Sequence, residues 1–315
     1  MKKWNMWMGV VTLVGFCSPW GLRAATNTWD AEIGTAGAQD GSGVWSTQAA
    51  DSNWWNHASA NTNWVNNSTY DDLTVIGAGS GAAGTITLGE NITVGHVRFN
   101  APGSGSYTLD GNGNTLGFGF NYPLLWVTQN VVATNRANSA SSAINLNVSG
   151  GGTLVLAGTN TFKSVDVMDA ATAWFGITGG VAGTTITIPA GARLSTVGYP
   201  PVYQYATFGF RLRDSVMLNV EGQLNTSHQI GGHSGEDNFV ITINPGAVVT
   251  NSSTVILGWN SPATLNMNGG LLYANGVYHM DGNTGMLNLN GGTLEVNNIY
   301  LSAGIGWFNV NFNGG

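Results

Sequence analysis

The residues whose chemistry best suits a metal ion lie in one glycine-rich stretch of the sequence. Within ten residues this stretch carries His228, His233, Glu236 and Asp237. Imidazole and carboxylate groups suit zinc and similar ions, but the spacing of these four side chains matches no established metal motif. A polar surface loop explains the same composition. The sequence therefore predicts neither a metal nor any other cofactor.

Carboxylates that could cleave a polysaccharide are few and scattered. Glycoside cleavage needs two carboxyl groups at a suitable separation. Asp166 and Asp169 flank a turn next to Lys163, whereas Glu236 and Asp237 are adjacent and would point to opposite sides of a strand. The sequence contains no Gly-x-Ser-x-Gly nucleophile elbow. We expect a protein without catalysis, and a pectate-lyase-like enzyme or glycoside hydrolase is the alternative.

Two pairs of residues are candidates for contact with a glycan. Trp54 and Trp55 could offer aromatic faces to sugar rings, although the same side chains would also serve as a structural cap. Arg211 and Arg213 are two residues apart and share one face of a strand, opposite neighbouring apolar side chains. That basic face could meet an anionic sugar, although a solvated face over an apolar one has the same pattern.

Short strands, rather than helices, are predicted to position these candidates. Ile86 and Leu88 alternate with Thr85 and Thr87, and residues 144–148 repeat the same period of two. Alternation at this period puts apolar side chains on one face and polar side chains on the other. Glycine and asparagine separate the strands, which suits tight corners. The sequence therefore predicts an all-β fold.

One short phrase recurs along the second half of the chain. A strand of alternating apolar and polar residues is followed by a corner whose later glycine is Gly222, Gly246, Gly270, Gly292 or Gly315. The period is 22–24 residues, so each copy must stack on its neighbours to bury a core. This period predicts a parallel β-helix with three short strands per coil. The asparagines at positions 219, 266, 288 and 311 would then be in place to form an amide ladder.

Residues 1–25 have the layout of a secretory signal peptide. A charged start precedes a short apolar run, residues 6–16, and the small residues Ala24 and Ala25 lie near a plausible cleavage point. A lipid anchor at Cys17 is the alternative interpretation. We expect a protein that is secreted or held at the outer surface of a bacterial cell, with no membrane span in this part of it.

The composition excludes nucleic acid as an expected partner. Charged residues make up only 8% of the chain, against roughly 25% in ordinary globular proteins. Cleavage after Ala24 would remove three of the nine basic residues and no acidic one, leaving six against 16 and a net charge of −10. A chain so poor in basic residues is unsuited to a phosphate backbone. Cleavage would also remove its single cysteine, so no disulfide would stabilise the fold.

The composition divides the rest of the chain into two parts. Residues 26–72 hold five of the nine tryptophans that follow the signal, and we interpret them as a cap over the open first coil. Residues 73–315 are predicted to form the β-helix, which we expect to be truncated because the last repeat is incomplete. Two aromatic-rich stretches, 107–145 and 196–213, are interpreted as loops inserted into a monomeric rod.

The most specific motif is residues 151–162, which read Gly-Gly-Thr-Leu-Val-Leu-Ala-Gly-Thr-Asn-Thr-Phe. Together with the stretches at 44–46, 71–77 and 92–99, it resembles the autotransporter-associated β-strand repeat family of exported bacterial proteins. The resemblance covers residues 44–163; beyond it, the family's usual Gly-Gly-Thr-Thr turn is replaced by Lys163 and its neighbours. The resemblance implies a right-handed β-helix exported to the cell surface or medium, with no catalytic residues to transfer.

These observations predict an exported, non-catalytic protein with a structural or adhesive role at the cell surface. Its mechanism would be passive, because a stiff and nearly neutral rod displays loops and aromatic surface to its surroundings. The expected partner is an extracellular glycan or matrix, contacted through Trp54, Trp55, Arg211 and Arg213.

Overall fold

The structure is a computed structural model. It describes residues 25–58, 60–66, 72–119, 122–167, 183–198, 208–213, 215–232, 238–259, 262–280, 284–301 and 307–314. Almost all of the predicted signal peptide, and residues 199–207 of the predicted loop 196–213, lie outside the described residues; the end of that predicted loop, Phe208–Leu212, is a strand.

The described chain consists of β-strands joined by short turns, with one 3₁₀ turn at Ala49–Asp51. In chain order the strands are β1 (Thr26–Trp29), β2 (Gly43–Trp45), β3 (Trp54–Trp55), β4 (Asn61–Thr62), β5 (Leu73–Ile76), β6 (Thr85–Leu88), β7 (Ile92–Val94), β8 (His96–Phe99), β9 (Tyr107–Asp110), β10 (Leu116–Phe118), β11 (Leu124–Val127), β12 (Val132–Asn135), β13 (Ser139–Ser149), β14 (Thr153–Leu156), β15 (Thr159–Val167), β16 (Thr185–Ile188), β17 (Arg193–Thr196), β18 (Phe208–Leu212), β19 (Met217–Val220), β20 (Gln223–Thr226), β21 (Gln229–Gly231), β22 (Phe239–Ile243), β23 (Val248–Trp259), β24 (Ala263–Met280), β25 (Gly285–Leu301) and β26 (Phe308–Phe312).

The strands stack into three parallel ladders that form the sides of a solenoid. Face 1 contains β2, β6, β9, β12, β14, β16, β19, β22, the first parts of β24 and β25, and β26. Face 2 contains β7, β10, β17, β20 and the matching parts of β13, β15, β23, β24 and β25. Face 3 contains β1, β5, β8, β11, β18, β21 and the last parts of the same long strands. The predicted all-β parallel β-helix is confirmed.

Alternation along each strand places columns of apolar side chains inside the solenoid. On face 1 the register aligns Ile186, Leu218, Ile241, Leu265 and Leu287, and all five are buried. Full burial of such a side chain contributes roughly 1.5–3 kcal/mol. Because each coil supplies one residue to the column, each coil is stabilised mainly by the two beside it.

The repeated phrase of the sequence is a face 1 strand followed by the corner into face 2. Gly246, Gly270 and Gly292 adopt left-handed backbone angles there, with φ of 85°, 70° and 83°. A Cβ added at Gly270 would lie only 2.5 Å from the carbonyl oxygen of Ala247 in the preceding coil. Glycine is therefore required at this corner both for its backbone angle and for the close approach of the neighbouring coil.

Asparagine side chains form hydrogen-bonded ladders on the outside of the later coils. Asn288 Nδ2 donates to Asn266 Oδ1 at 2.8 Å, and Asn311 Nδ2 donates to Asn288 Oδ1 at 2.7 Å. The ladder predicted from the sequence is therefore present across these three asparagines. Asn219 lies in the same column, but Thr242 separates it from Asn266. A parallel ladder joins Asn244, Asn268, Asn290 and Asn313 at 2.8–3.3 Å.

Removing the middle amide of this ladder should destabilise the later coils. Asn288→Ala deletes two hydrogen bonds and leaves both neighbouring amides short of a partner, so we expect a loss of about 2 kcal/mol. Hydrogen exchange of the β24, β25 and β26 amides would measure the loss. Asn309→Ala, at an exposed asparagine of β26, is the matched control and should change exchange little. Equal effects of the two substitutions would show that the ladder contributes nothing.

The interpretation of residues 107–145 as an inserted loop was wrong. Tyr107, Phe118 and Trp126 lie in β9, β10 and β11, which are ordinary strands of faces 1, 2 and 3. The period was hidden because coil length varies here. Thr108 pairs with Thr134, 26 residues later. The longer turns break the 22–24-residue repeat, but the strands that they join remain part of the solenoid.

Candidate functional site

Four buried tryptophans close the N-terminal end of the solenoid. Trp54 is central, with its ring centroid 5.3 Å from that of Trp29 and 4.6 Å from that of Trp45. Trp64 lies 5.2 Å from both Trp54 and Trp45. Tilted and edge-on contacts of this kind add about 0.5–1.5 kcal/mol per pair to the burial of the rings. This cluster, which we call the tryptophan cluster, confirms the predicted aromatic cap.

The cap extends two faces of the solenoid beyond its first coil. β1 pairs in parallel with β5 on face 3 and antiparallel with β3, which pairs in turn with β4. β2 pairs in parallel with β6 on face 1. The antiparallel strands β3 and β4 fold back over the tryptophan cluster, so the chain reverses direction instead of offering another parallel edge.

The third face is covered by side chains of the cap. Asn66 Oδ1 accepts a hydrogen bond from the backbone N–H of Thr93 at 2.8 Å, and Asn66 Nδ2 donates to the carbonyl of Asn91 at 2.9 Å. Trp64 Nε1 donates to the carbonyl of Thr93 at 3.1 Å. These three bonds occupy the backbone groups at the edge of β7. A side-chain amide therefore takes the place of a pairing strand.

The carboxylate of Asp40 ties the cap to the first coils. It accepts hydrogen bonds from four backbone amides and one hydroxyl: Ala78 N (2.8 Å), Ser80 N (2.8 Å), Gly81 N (3.1 Å), Gly103 N (3.3 Å) and Tyr107 Oη (2.8 Å). Burial alone would raise the pKa of Asp40, but these hydrogen bonds outweigh burial and lower the pKa below its ordinary value. Asp40 is thus held as an anion, and its hydrogen bonds fix the turn at residues 78–81 and the turn that contains Gly103.

An open cleft of about 420 Å³ lies beside the cap on the outer side of face 3. Separate segments of the chain form its walls: Thr26, Thr28, Ala38, Trp55, His57, Val75, Gly77, Ala78 and Asn100. Thr28 and Val75 are paired in register, and both point outward because the following residues, Trp29 and Ile76, are buried in the core. The cleft exists only because the cap and the first coils meet.

His57 is fixed at the rim of this cleft. Its backbone is left-handed, with φ of 60°, which costs a non-glycine residue roughly 1–2 kcal/mol. Its Nε2 lies 2.7 Å from Thr28 Oγ1, in a hydrogen bond that holds the ring against β1. Trp55, two residues earlier, is only partly buried and forms an aromatic wall. The arrangement offers an apolar plane next to hydrogen-bonding groups.

The cleft has the composition of a site for a neutral, polar ligand. Among the described side chains that line it, none is acidic and none is a lysine or arginine, and Arg98 lies next to it with its Nε donating to Asn100 Oδ1 at 2.8 Å. Its volume falls within the usual range of about 300–1,000 Å³ for small-molecule sites. The hydroxyl of Thr26 and the amide nitrogen of Asn100 are suited to hydroxyl groups, and the Trp55 ring to a flat apolar surface.

The two tryptophans that the sequence analysis proposed as glycan contacts point to opposite sides of their strand. Trp54 is fully buried in the tryptophan cluster, with 0% of its surface exposed, whereas Trp55 lines the cleft. Adjacent residues of a strand point to opposite sides, so only one of the pair can face outward. The other lining residues, among them Thr28 and Asn100, were not found from the sequence, because no local pattern joins three distant segments.

Arg211 and Arg213, the other proposed glycan contacts, lie on face 3, several coils away from the cleft. Between β18 and β1 on this face stand β5, β8, β11, β13 and β15. Arg211 is only 3% exposed and its guanidinium lies 6.0 Å from the Phe208 ring. Arg213 Nε donates to Asp166 Oδ1 at 2.8 Å, and a second nitrogen of Arg213 bonds the other carboxylate oxygen. Contact of these arginines with a sugar stays a prediction.

The candidate metal and catalytic residues are only partly described. Within the described ranges, no group of three or more histidine, cysteine, aspartate or glutamate side chains could hold a metal ion. His233, Glu236, Asp237 and Asp169 lie outside those ranges. Asp166 is engaged with Arg213.

No helix long and apolar enough to cross a membrane occurs in the part of the chain that the structure describes.

Comparison with known proteins finds similarity to a bacterial adhesin. The chain is 31% identical over 181 residues to the adhesin BmaC autotransporter of Brucella suis biovar 1 (strain 1330). The match covers 56% of this chain but only 5% of that protein, so the chain corresponds to a small part of its length. No protein-family model and no solved structure matches the chain. Together, this match and the parallel solenoid confirm the resemblance to autotransporter β-helical proteins.

Proposed function

We propose that the chain is part of an exported, non-catalytic scaffold that displays adhesive surface outside a bacterial cell. The observation that carries the proposal is a continuous parallel solenoid whose sequence is similar, over more than half of the chain, to an autotransporter adhesin. In this proposal residues 1–25 direct export, residues 26–72 cap the rod and residues 73–315 form it. The mature rod is a monomer in dilute solution.

The mechanism of such a scaffold is passive display. Stacked coils bury the inward apolar columns of each face, and the outside is left with threonine, asparagine and few charges. A rod built this way keeps its shape without disulfides or metals, because each coil is supported along its length by backbone pairing. Binding then depends on which side chains the cap and the outer faces of the solenoid expose.

We assign the cleft beside Trp55 as the contact for a neutral saccharide. The support is the combination of a partly exposed aromatic wall, fixed hydroxyl and amide groups, and the lack of acidic, lysine and arginine side chains among the described residues that line the cleft. A sugar ring has one apolar side that packs on an indole and hydroxyls that bond to Thr26 and Asn100, while the buried Thr28 holds His57 at the rim. A site of this size and openness would bind a single short glycan segment weakly.

Trp55→Ala should weaken binding of a neutral glycan at least tenfold. The substitution removes the aromatic wall, and an aromatic contact of about 1.4 kcal/mol corresponds to a factor of ten in affinity. A glycan array would identify the ligand, and titration calorimetry on the best neutral oligosaccharide would measure the change.

Trp307→Ala supplies the matched control, because Trp307 is 78% exposed and lies at the opposite end of the described chain. It should leave the affinity unchanged. Equal losses in the two variants, or no neutral ligand at millimolar concentration, would refute the assignment of the cleft. Release of reducing or unsaturated ends from pectin or alginate would instead favour a polysaccharide-degrading enzyme.

A further inference from the structure

One side of the solenoid presents a strip without charge. The outward column at the centre of face 1 runs through Thr134, Val155, Thr187, Asn219, Thr242 and Asn266, and continues as the asparagine ladder. The column beside it, two residues earlier on each strand, contains only valine, threonine, methionine and asparagine. We call these two columns, from β12 to β26, the neutral strip.

Charged side chains border the strip but do not lie in it: the exposed Arg136 and Glu221 are each two residues beyond its central column, next to Thr134 and Asn219. Arg193 and Glu295 are on face 2, in β17 and β25. Asp166 and Arg211 are on face 3. The whole chain has a net charge of −7, so two copies repel each other in most orientations. Side-by-side approach is least opposed when neutral strips face each other.

We propose that the neutral strip is a lateral docking surface for a second copy of this chain. A partner that meets the strip row for row must repeat at the spacing of the coils, about 4.8 Å. A second solenoid of the same kind has that repeat, so its side chains can interdigitate with those of the strip. Facing parallel sheets with low charge and asparagine ladders form dry, closely packed interfaces of this type.

The strip is large enough for weak pairing and too small for a permanent dimer. The face 1 strands from β12 to β26 span roughly 40 Å at about 4.8 Å per coil. With a width of one short strand, two copies would bury about 1,000 Å² in total, at the low end of specific interfaces. Rods in dilute solution therefore stay monomeric, while rods crowded on a surface, at millimolar effective concentration, associate along their lengths.

Sedimentation equilibrium of the purified chain up to millimolar concentration tests the proposal. We expect reversible association that strengthens with added salt, because salt screens the repulsion between acidic rods. Thr242→Glu places a charge at the centre of the strip and should weaken association at least tenfold. Thr187→Glu, at another coil of the strip, should act in the same way.

Thr250→Glu is the matched control, because it makes the same change in the same coil on face 2. It should leave association intact. Circular dichroism melts of all three variants would verify that each one folds. A monomer at every concentration and salt level would overturn the proposal, as would equal weakening by Thr250→Glu. If Thr242→Glu instead reduced only retention on an insoluble neutral polysaccharide, the strip would bind a glycan and not a second copy.

Discussion

Trp54→Ala should lower the free energy of unfolding of the N-terminal coils by about 4 kcal/mol, the typical cost of deleting a buried tryptophan. The reason is the position of this ring at the centre of the tryptophan cluster, in contact with Trp29, Trp45 and Trp64. Its removal leaves a cavity on which three other large rings can collapse only partly. Urea unfolding followed by tryptophan fluorescence would measure the loss.

Two further substitutions separate ring packing from other effects. Trp54→Phe keeps most of the ring volume and removes an indole N–H that has no hydrogen-bond partner among the described residues. It should therefore cost far less than alanine. Trp55→Ala, one residue away and facing the cleft, should cost about 1 kcal/mol or less. A Trp54→Ala protein as stable as Trp55→Ala would show that the cluster does not hold the cap.

Asp40→Asn should destabilise the cap by about 3 kcal/mol at neutral pH, because an amide nitrogen would replace one oxygen that now accepts hydrogen bonds. The pKa of Asp40 is lowered in the folded protein, so its contribution is fully present above the unfolded value of about 3.9. As pH falls through the folded pKa, that contribution is lost. Hydrogen exchange at Ala78, Ser80 and Gly81 would follow the change.

The pH dependence gives this prediction a second readout. Below pH 4 the wild-type cap should weaken progressively, whereas the Asp40→Asn cap should show a flatter profile over the same range. Asp110→Asn is the control, since Asp110 accepts a hydrogen bond from Asn112 within its own turn. Identical pH profiles of the wild-type and Asp40→Asn caps would contradict the role assigned to Asp40.

Most of the fold follows from regularities in the sequence. Period-two alternation predicted which side of each strand is buried, as at Ile86 and Leu88. The 22–24-residue spacing predicted the coils, and matching asparagines predicted the ladder from Asn266 to Asn311. These predictions succeed because nearest-neighbour stacking turns a linear period directly into a three-dimensional one.

The candidate site could not be read in the same way. Alternation states that Trp54 and Trp55 face opposite sides, but it does not state which side is the core. That choice is set by the antiparallel pairing of β1 with β3, between segments more than twenty residues apart. The cleft needs β1, β5 and the residues after β8 together, and only the register of face 3 brings these segments to one place.

The asparagine ladders have a single direction. In every amide contact among them, the side chain of the later coil donates and that of the earlier coil accepts. Turning one amide over would set donor against donor on one side and acceptor against acceptor on the other. An individual side chain therefore cannot reorient alone, and each row of amides must switch or melt as a collective unit. Aligned bond dipoles also reinforce one another along the row, so the solenoid is electrically polar along its axis as well as charged overall.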